Sequence, residues 1–192
     1  VDAIGIPFDG ALYVGWLIVP FFIFLTISLY ASGVIDGIDG LSGGVFTAVF
    51  LSYAGVAFVQ SQYDIAALSA TIAGGILAFL WFNIPPARFW MTETGSMALT
   101  LSLAVIVFMT DELGGGHGIT LLPIIGLPLL ATVISNVLQL SYRKATGKKL
   151  FRIAPLHHHF EAIGWPSTKV TMRYWVISIM CAVSGLVLAT IM

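Results

Sequence analysis

The chain has 192 residues, 58% hydrophobic and 9% charged, with a formal net charge of -1 and a mean hydropathy of +1.00. Soluble domains carry roughly a quarter charged residues, so these figures exclude one, and no basic excess is available to hold nucleic acid. The single cysteine, Cys181, excludes a disulfide framework within the chain and sits in an apolar run where packing is its expected job.

A membrane-crossing helix needs about 20 mostly apolar residues. Taken in chain order, the first such stretch is Ala11 to Ser32, and it carries Pro20. The second runs from Gly43 to Gln60, the third from Asp64 to Phe82 and the fourth, shorter, from Ser96 to Thr110. Gly114, Gly115 and Gly116 then mark a flexible turn. The fifth stretch spans Leu121 to Tyr142 and the sixth Val170 to Met192. Pro20, Pro123 and Pro128 are expected to kink their spans rather than end them. The expected fold class is all-α, a polytopic bundle of about six spans forming one transmembrane domain over residues 1–192. No basic region leads into an apolar core at the start, so no signal peptide is expected.

Charge orients this bundle. Arg88, Arg143, Lys144, Lys148, Lys149, Arg152, Lys169 and Arg173 all fall in or beside the loops 33–42, 83–95 and 143–169. The other face holds Asp2, Asp9, Asp64, Asp111 and Glu112 and no lysine or arginine. The positive-inside bias places the basic loops in the cytoplasm and both termini outside.

The polar residues that could do chemistry gather on that same side. In the first loop, Asp36 and Asp39 stand three apart among glycines and would share a face if the segment were helical. A solvated turn capping the next helix is the blander reading, because Asp-Gly is a common turn dipeptide. In the second loop, Glu93 is a candidate Mg²⁺ ligand or simply a favourable charge at a helix N-terminus. Trp90 there could stack on a base or anchor the interface. The third loop carries His157, His158 and His159, whose adjacency suits phosphate better than a tetrahedral metal site. Lys148, Lys149 and Arg152 beside them also fit anionic lipid headgroups. His117, alone in a glycine loop, is expected to do no chemistry.

Three segments together carry a resemblance: Asp36-Gly37-Ile38-Asp39-Gly40-Leu41, Phe82-Asn83 through Glu93-Thr94-Gly95-Ser96, and Pro155-Leu156-His157-His158-His159-Phe160-Glu161. In this order they resemble the polyprenyl-phosphate sugar-1-phosphate transferases of bacteria, specifically the phospho-N-acetylmuramoyl-pentapeptide transferases. The third segment is the most specific of them. The resemblance covers the C-terminal part of a fold of about ten spans; the family's upstream DDxxK motif, which carries its proposed acid–base residue, is absent from these residues. Two positions depart from the pattern: Gly33 stands where the family has Asn, and Thr92-Glu93 where it has Gly-Asp.

The resemblance implies transfer of phospho-MurNAc-pentapeptide from UDP-MurNAc-pentapeptide to undecaprenyl phosphate, giving lipid I and UMP, at the cytoplasmic face of the bacterial inner membrane. It implies Mg²⁺ held by Glu93 and Asp36, with Asp36, Asp39, Glu93 and His158 as catalytic residues. Gly37, Ile38, Asn83, Trp90, His157 and His159 would bind the nucleotide sugar. Membrane lipids are implied partners and a homodimer is compatible. The alternatives are a GlcNAc-1-phosphate transferase, a non-catalytic nucleotide-sugar or lipid-binding paralogue, and a transporter half.

Overall fold

The computed structural model describes residues 3–6, 10–114 and 116–192. Asp2, Asp9 and Gly115, named above, lie outside the described residues, as does the side chain of Glu112. Two short antiparallel strands, β1 (Ala3–Ile6) and β2 (Gly10–Tyr13), pair with Ala3 opposite Tyr13. Among the described residues eight α-helices follow, beginning with α1 (Ile18–Ser32), α2 (Leu41–Val59), α3 (Tyr63–Asn83) and α4 (Thr92–Gly114). After them come α5 (Gly118–Ile125), α6 (Leu127–Thr146), α7 (Leu156–Ala162) and α8 (Ser167–Ile191).

Five helical stretches are long and apolar enough to cross a bilayer, and the bent pair α5–α6 passes the same test jointly. Phe24, Trp81, Met180 and Ile191 lie exposed along them. So much exposed apolar surface requires a non-aqueous surrounding. The chain is therefore a multi-pass, all-α membrane bundle.

Three details differ from the sequence expectation. The first span begins at Gly15 rather than Ala11, because residues 10–13 pair with β1 and Gly15, at φ +53°, opens a 3-10 turn (Gly15–Leu17) that leads into α1. Pro20 then falls in the first turn of α1, where proline's missing N–H is tolerated. The fifth span is not one helix: α5 and α6 meet at 71° across Gly126. Pro128 lacks the N–H that would reach back to residue 124, and its ring crowds that carbonyl, so the chain restarts as a new helix.

Helix α2 is the centre. Val45, Phe46, Val49, Phe50, Tyr53 and Val56 are fully buried, while α3 and α8 pack against it. Close approach rests on glycine: a Cβ on Gly43 would meet Leu80 at 2.8 Å, and one on Gly55 would meet Leu186 at 2.8 Å. A Cβ on Gly44 would collide with the indole of Trp175. Small residues serve helix contacts in membranes in this way, since apolar side chains gain nothing by leaving lipid.

We predict that Gly44→Ala destabilises the protein by about 1–3 kcal/mol through overpacking. Gly74→Ala, mid-helix in α3 with nothing within 4 Å, should leave stability unchanged or raise it by up to about 1 kcal/mol. Thermal unfolding in detergent compares the two, and equal midpoints would contradict the Gly44–Trp175 contact.

Candidate functional site

The site begins where α1 runs out. A short 3-10 turn, Gly33–Ile35, extends it, Asp36 then leaves helical backbone, and Gly40 adopts φ +74° to cap the start of α2. Asp36 and Asp39 therefore belong to a turn and do not share a helix face. Their partners separate them. Asp36 accepts a hydrogen bond from Ser42 Oγ on one oxygen, and the other makes none to protein among the described residues. Asp39 accepts from the Ala87 N–H at 3.1 Å, reaching across to the loop after α3.

The backbone of this turn is held from two more sides. Asn83, at the end of α3 and 2% exposed, accepts from the Gly40 N–H at 3.0 Å and donates to the Phe89 carbonyl at 2.7 Å. From α8, Thr171 donates to the Asp39 carbonyl at 3.1 Å and Trp175 to the Gly40 carbonyl at 2.9 Å.

Glu93 lies in the first turn of α4, where the unpaired N–H groups and the helix dipole favour its negative charge. Thr92 before it has φ +59°, a conformation that strains a β-branched residue and that glycine would adopt freely.

The histidines ride on α7, which Pro155 starts and which the Leu156 N–H ties to Ser135 Oγ of α6. Consecutive helical positions point in different directions, so each histidine has its own surroundings. His157 is fully buried and neither ring nitrogen has a hydrogen-bond partner among the described residues. Burial, reinforced by the neighbouring His158, lowers its pKa to about 4, so it is neutral at pH 7. His158 is half-buried, its Nδ1 2.7 Å from a Glu161 oxygen, which orients the ring. His159 turns away, accepting the Arg152 N–H at 3.2 Å and packing its ring on Phe151.

Gly37 joins the two halves of the site. A Cβ there would lie 2.7 Å from His158 Nε2 and 2.8 Å from His157 Nε2. Only glycine lets the turn and α7 come this close. Together α1, the 36–40 turn, the start of α4 and α7 enclose an open cleft of about 490 Å³. Asp36, Gly37, Glu93 and His158 line it, with Tyr30, Ser96 and Met97.

The structure thus brings four of the expected site residues to one cleft. Asp39, Ile38, Asn83, His157, His159 and Trp90 do not line it. Asp39 and Asn83 brace the turn, Ile38 packs against the core, and Trp90 is 67% exposed on the neighbouring loop. Sequence reasoning missed Thr171 and Trp175. Their spacing of one helical turn, at the basic end of an apolar span, was the available signal.

No group of three or more His, Cys, Asp and Glu residues forms a metal site among the described residues. Asp36 and Glu93 nonetheless fit an ion that takes one or two carboxylates and completes its shell with water and phosphate. Asp36 in particular offers an oxygen that no protein group uses among the described residues.

Residues 1–111 match the profile of the family described as glycosyl transferase family 4. A Heliobacterium modesticaldum protein named phospho-N-acetylmuramoyl-pentapeptide-transferase is 41% identical over 155 residues, 80% of this chain and 46% of that one. Proteins of the same name from Corynebacterium efficiens and Clostridioides difficile are 36% and 37% identical, covering 97% and 92% of this chain. In each of those two the match covers 54% of the relative. The chain spans about half the length of the curated relatives it matches.

His157 makes a pH prediction. Its folded-state pKa is depressed below 6.5, so the unfolded chain takes up a proton first and stability falls as pH drops from 6.5 towards 4. His157→Gln should flatten that part of the acid limb in unfolding midpoints measured against pH; an unchanged slope would contradict the burial of a neutral imidazole.

Proposed function

The chain belongs to glycosyl transferase family 4, and on that premise we propose that it forms part of a phospho-MurNAc-pentapeptide transferase. The reaction moves phospho-MurNAc-pentapeptide from its UDP carrier to undecaprenyl phosphate, releasing UMP and forming lipid I. The observation that carries this reading is the cleft itself. It puts two carboxylates and an oriented imidazole at one end of a membrane bundle, where a water-soluble donor can meet a lipid acceptor. The names of the relatives supply the transferred group, phospho-N-acetylmuramoyl-pentapeptide, and the family resemblance supplies the carrier and the acceptor.

In this reading Asp36 and Glu93 would hold Mg²⁺, which would supply positive charge against the donor diphosphate and the departing UMP. Ser42 fixes Asp36 for that task. His158, its Nδ1 held by Glu161, presents Nε2 to the donor phosphates. Gly37 lets the two imidazoles of α7 close on the turn, and buried His157 supports it from behind. Asp39 and Asn83 act on the substrate indirectly, by holding the turn. His159 seats α7, Trp90 contributes to the nucleotide pocket from the adjoining loop, and Ile38 anchors the turn to the core.

The basic residues accompany the cleft: Arg88 lies in the loop before Glu93, Arg143 to Arg152 in the segment before α7, and Lys169 and Arg173 at the start of α8. The positive-inside bias supports a cytoplasmic cleft in the bacterial inner membrane. That is also where the donor is available.

The test uses the full-length gene product in membranes. Mg²⁺-dependent UMP release from UDP-MurNAc-pentapeptide with undecaprenyl phosphate is expected, falling about 100-fold or more in Glu93→Ala. Unaltered release in that variant would remove Glu93 from the metal site, and no release from folded wild-type protein would refute the transferase.

A further inference from the structure

The segment between α6 and α7 plays no part in the chemistry above, yet it is built with unusual order. Helix α6 ends with Arg143 and Lys144 in its last turn, where cations suit the dipole. Gly147, at φ +72°, stops it, and its N–H donates to the Arg143 carbonyl at 2.9 Å. The chain then doubles back and is caught by Gln139. Its Oε1 accepts from the N–H groups of Leu150 and Phe151 at 3.1 and 2.8 Å, and its Nε2 donates to the Phe151 carbonyl at 3.2 Å.

This return fixes the side chains of the turn as a surface. Residues 141–150 are exposed throughout, as are Arg152 and Ile153. Arg143, Lys144, Lys148, Lys149 and Arg152 make no ion pair among the described residues. Beside these cations Leu140, Leu150 and Ile153 are 68%, 45% and 49% exposed. Leu150 and Ile153 on the turn thus continue the exposed apolar surface that Leu140 carries on α6. Nor is a mere solvated charge run indicated, since Gln139 holds the backbone and the Arg152 guanidinium donates to the Ala162 carbonyl at 3.0 Å.

We propose that the turn joining α6 to α7 binds the headgroups of anionic phospholipids in the surrounding bilayer, with Lys148 and Lys149 as its principal contacts. The 71° bend carries α6 away from the axis of α5, with Ile134, Val137 and Leu138 exposed along its length. Apolar side chains beside a cationic edge match the boundary between acyl chains and headgroups. Bound lipid would also steady the histidine helix, because the Arg152 N–H and the Phe151 ring both contact His159.

The experiment measures lipid binding by the purified chain in neutral detergent, by native mass spectrometry with phosphatidylglycerol and phosphatidylcholine, and needs no transferase activity. Phosphatidylglycerol is expected to bind preferentially. Replacing two cations, Lys148→Gln with Lys149→Gln, should weaken it roughly 10- to 30-fold and leave phosphatidylcholine unchanged. The charge-keeping pair Lys148→Arg with Lys149→Arg should retain the preference, and wild-type preference should collapse in thermal-shift measurements at about 1 M NaCl. Equal binding of the two lipids, an undiminished preference in the Gln pair, or a preference that survives high salt would overturn the proposal. Displacement of phosphatidylglycerol by millimolar inorganic phosphate would overturn it too, by identifying a free-anion site.

Discussion

The site depends on one turn whose polar backbone is held by distant parts of the chain. Residues 36–40 leave helical geometry between two membrane helices, and buried carbonyls and N–H groups there cannot be left to lipid. Asn83 satisfies the Gly40 N–H, Trp175 the Gly40 carbonyl and Thr171 the Asp39 carbonyl. Each bond crosses at least 43 residues of sequence. The turn is thereby fixed relative to α3 and α8 before any ligand arrives, and Asp36 inherits that fixed position.

Close packing completes what the hydrogen bonds begin. Trp175 can reach the Gly40 carbonyl because Gly44, one turn into α2, has no side chain in its way. Gly37 performs the same service for α7, admitting two imidazoles to the outer edge of the turn. The glycines between the aspartates thus serve tertiary contact as well as turn geometry, and adding one methyl group at either place requires neighbouring rings to move.

Much of this was legible in the sequence, and the limits have physical causes. Span positions followed from hydropathy, which depends on composition over a whole window and tolerates local error. Local backbone events were harder: the hairpin at Ala3–Tyr13 has too few residues to outweigh the apolar run it joins, and Gly126 with Pro128 reads as a kink until the bend is seen. The site residues show the sharper limit. Asp36 and Asp39 each precede a glycine and look equivalent, yet Ser42 holds one in the cleft while Ala87 draws the other into a brace. His157, His158 and His159 are identical in sequence, and only the rotation of α7 makes one buried, one cleft-lining and one a partner of Arg152.

The central claim is that the 36–40 turn and α7 form one ligand site through Gly37. Equilibrium binding of UMP with Mg²⁺, measured by calorimetry on wild type, Gly37→Val and Gly74→Ala, tests it most directly. The account predicts that wild type and Gly74→Ala bind alike, while Gly37→Val, with unchanged helicity, binds at least about tenfold more weakly, a loss of about 1.4 kcal/mol. Undiminished binding by Gly37→Val would contradict it.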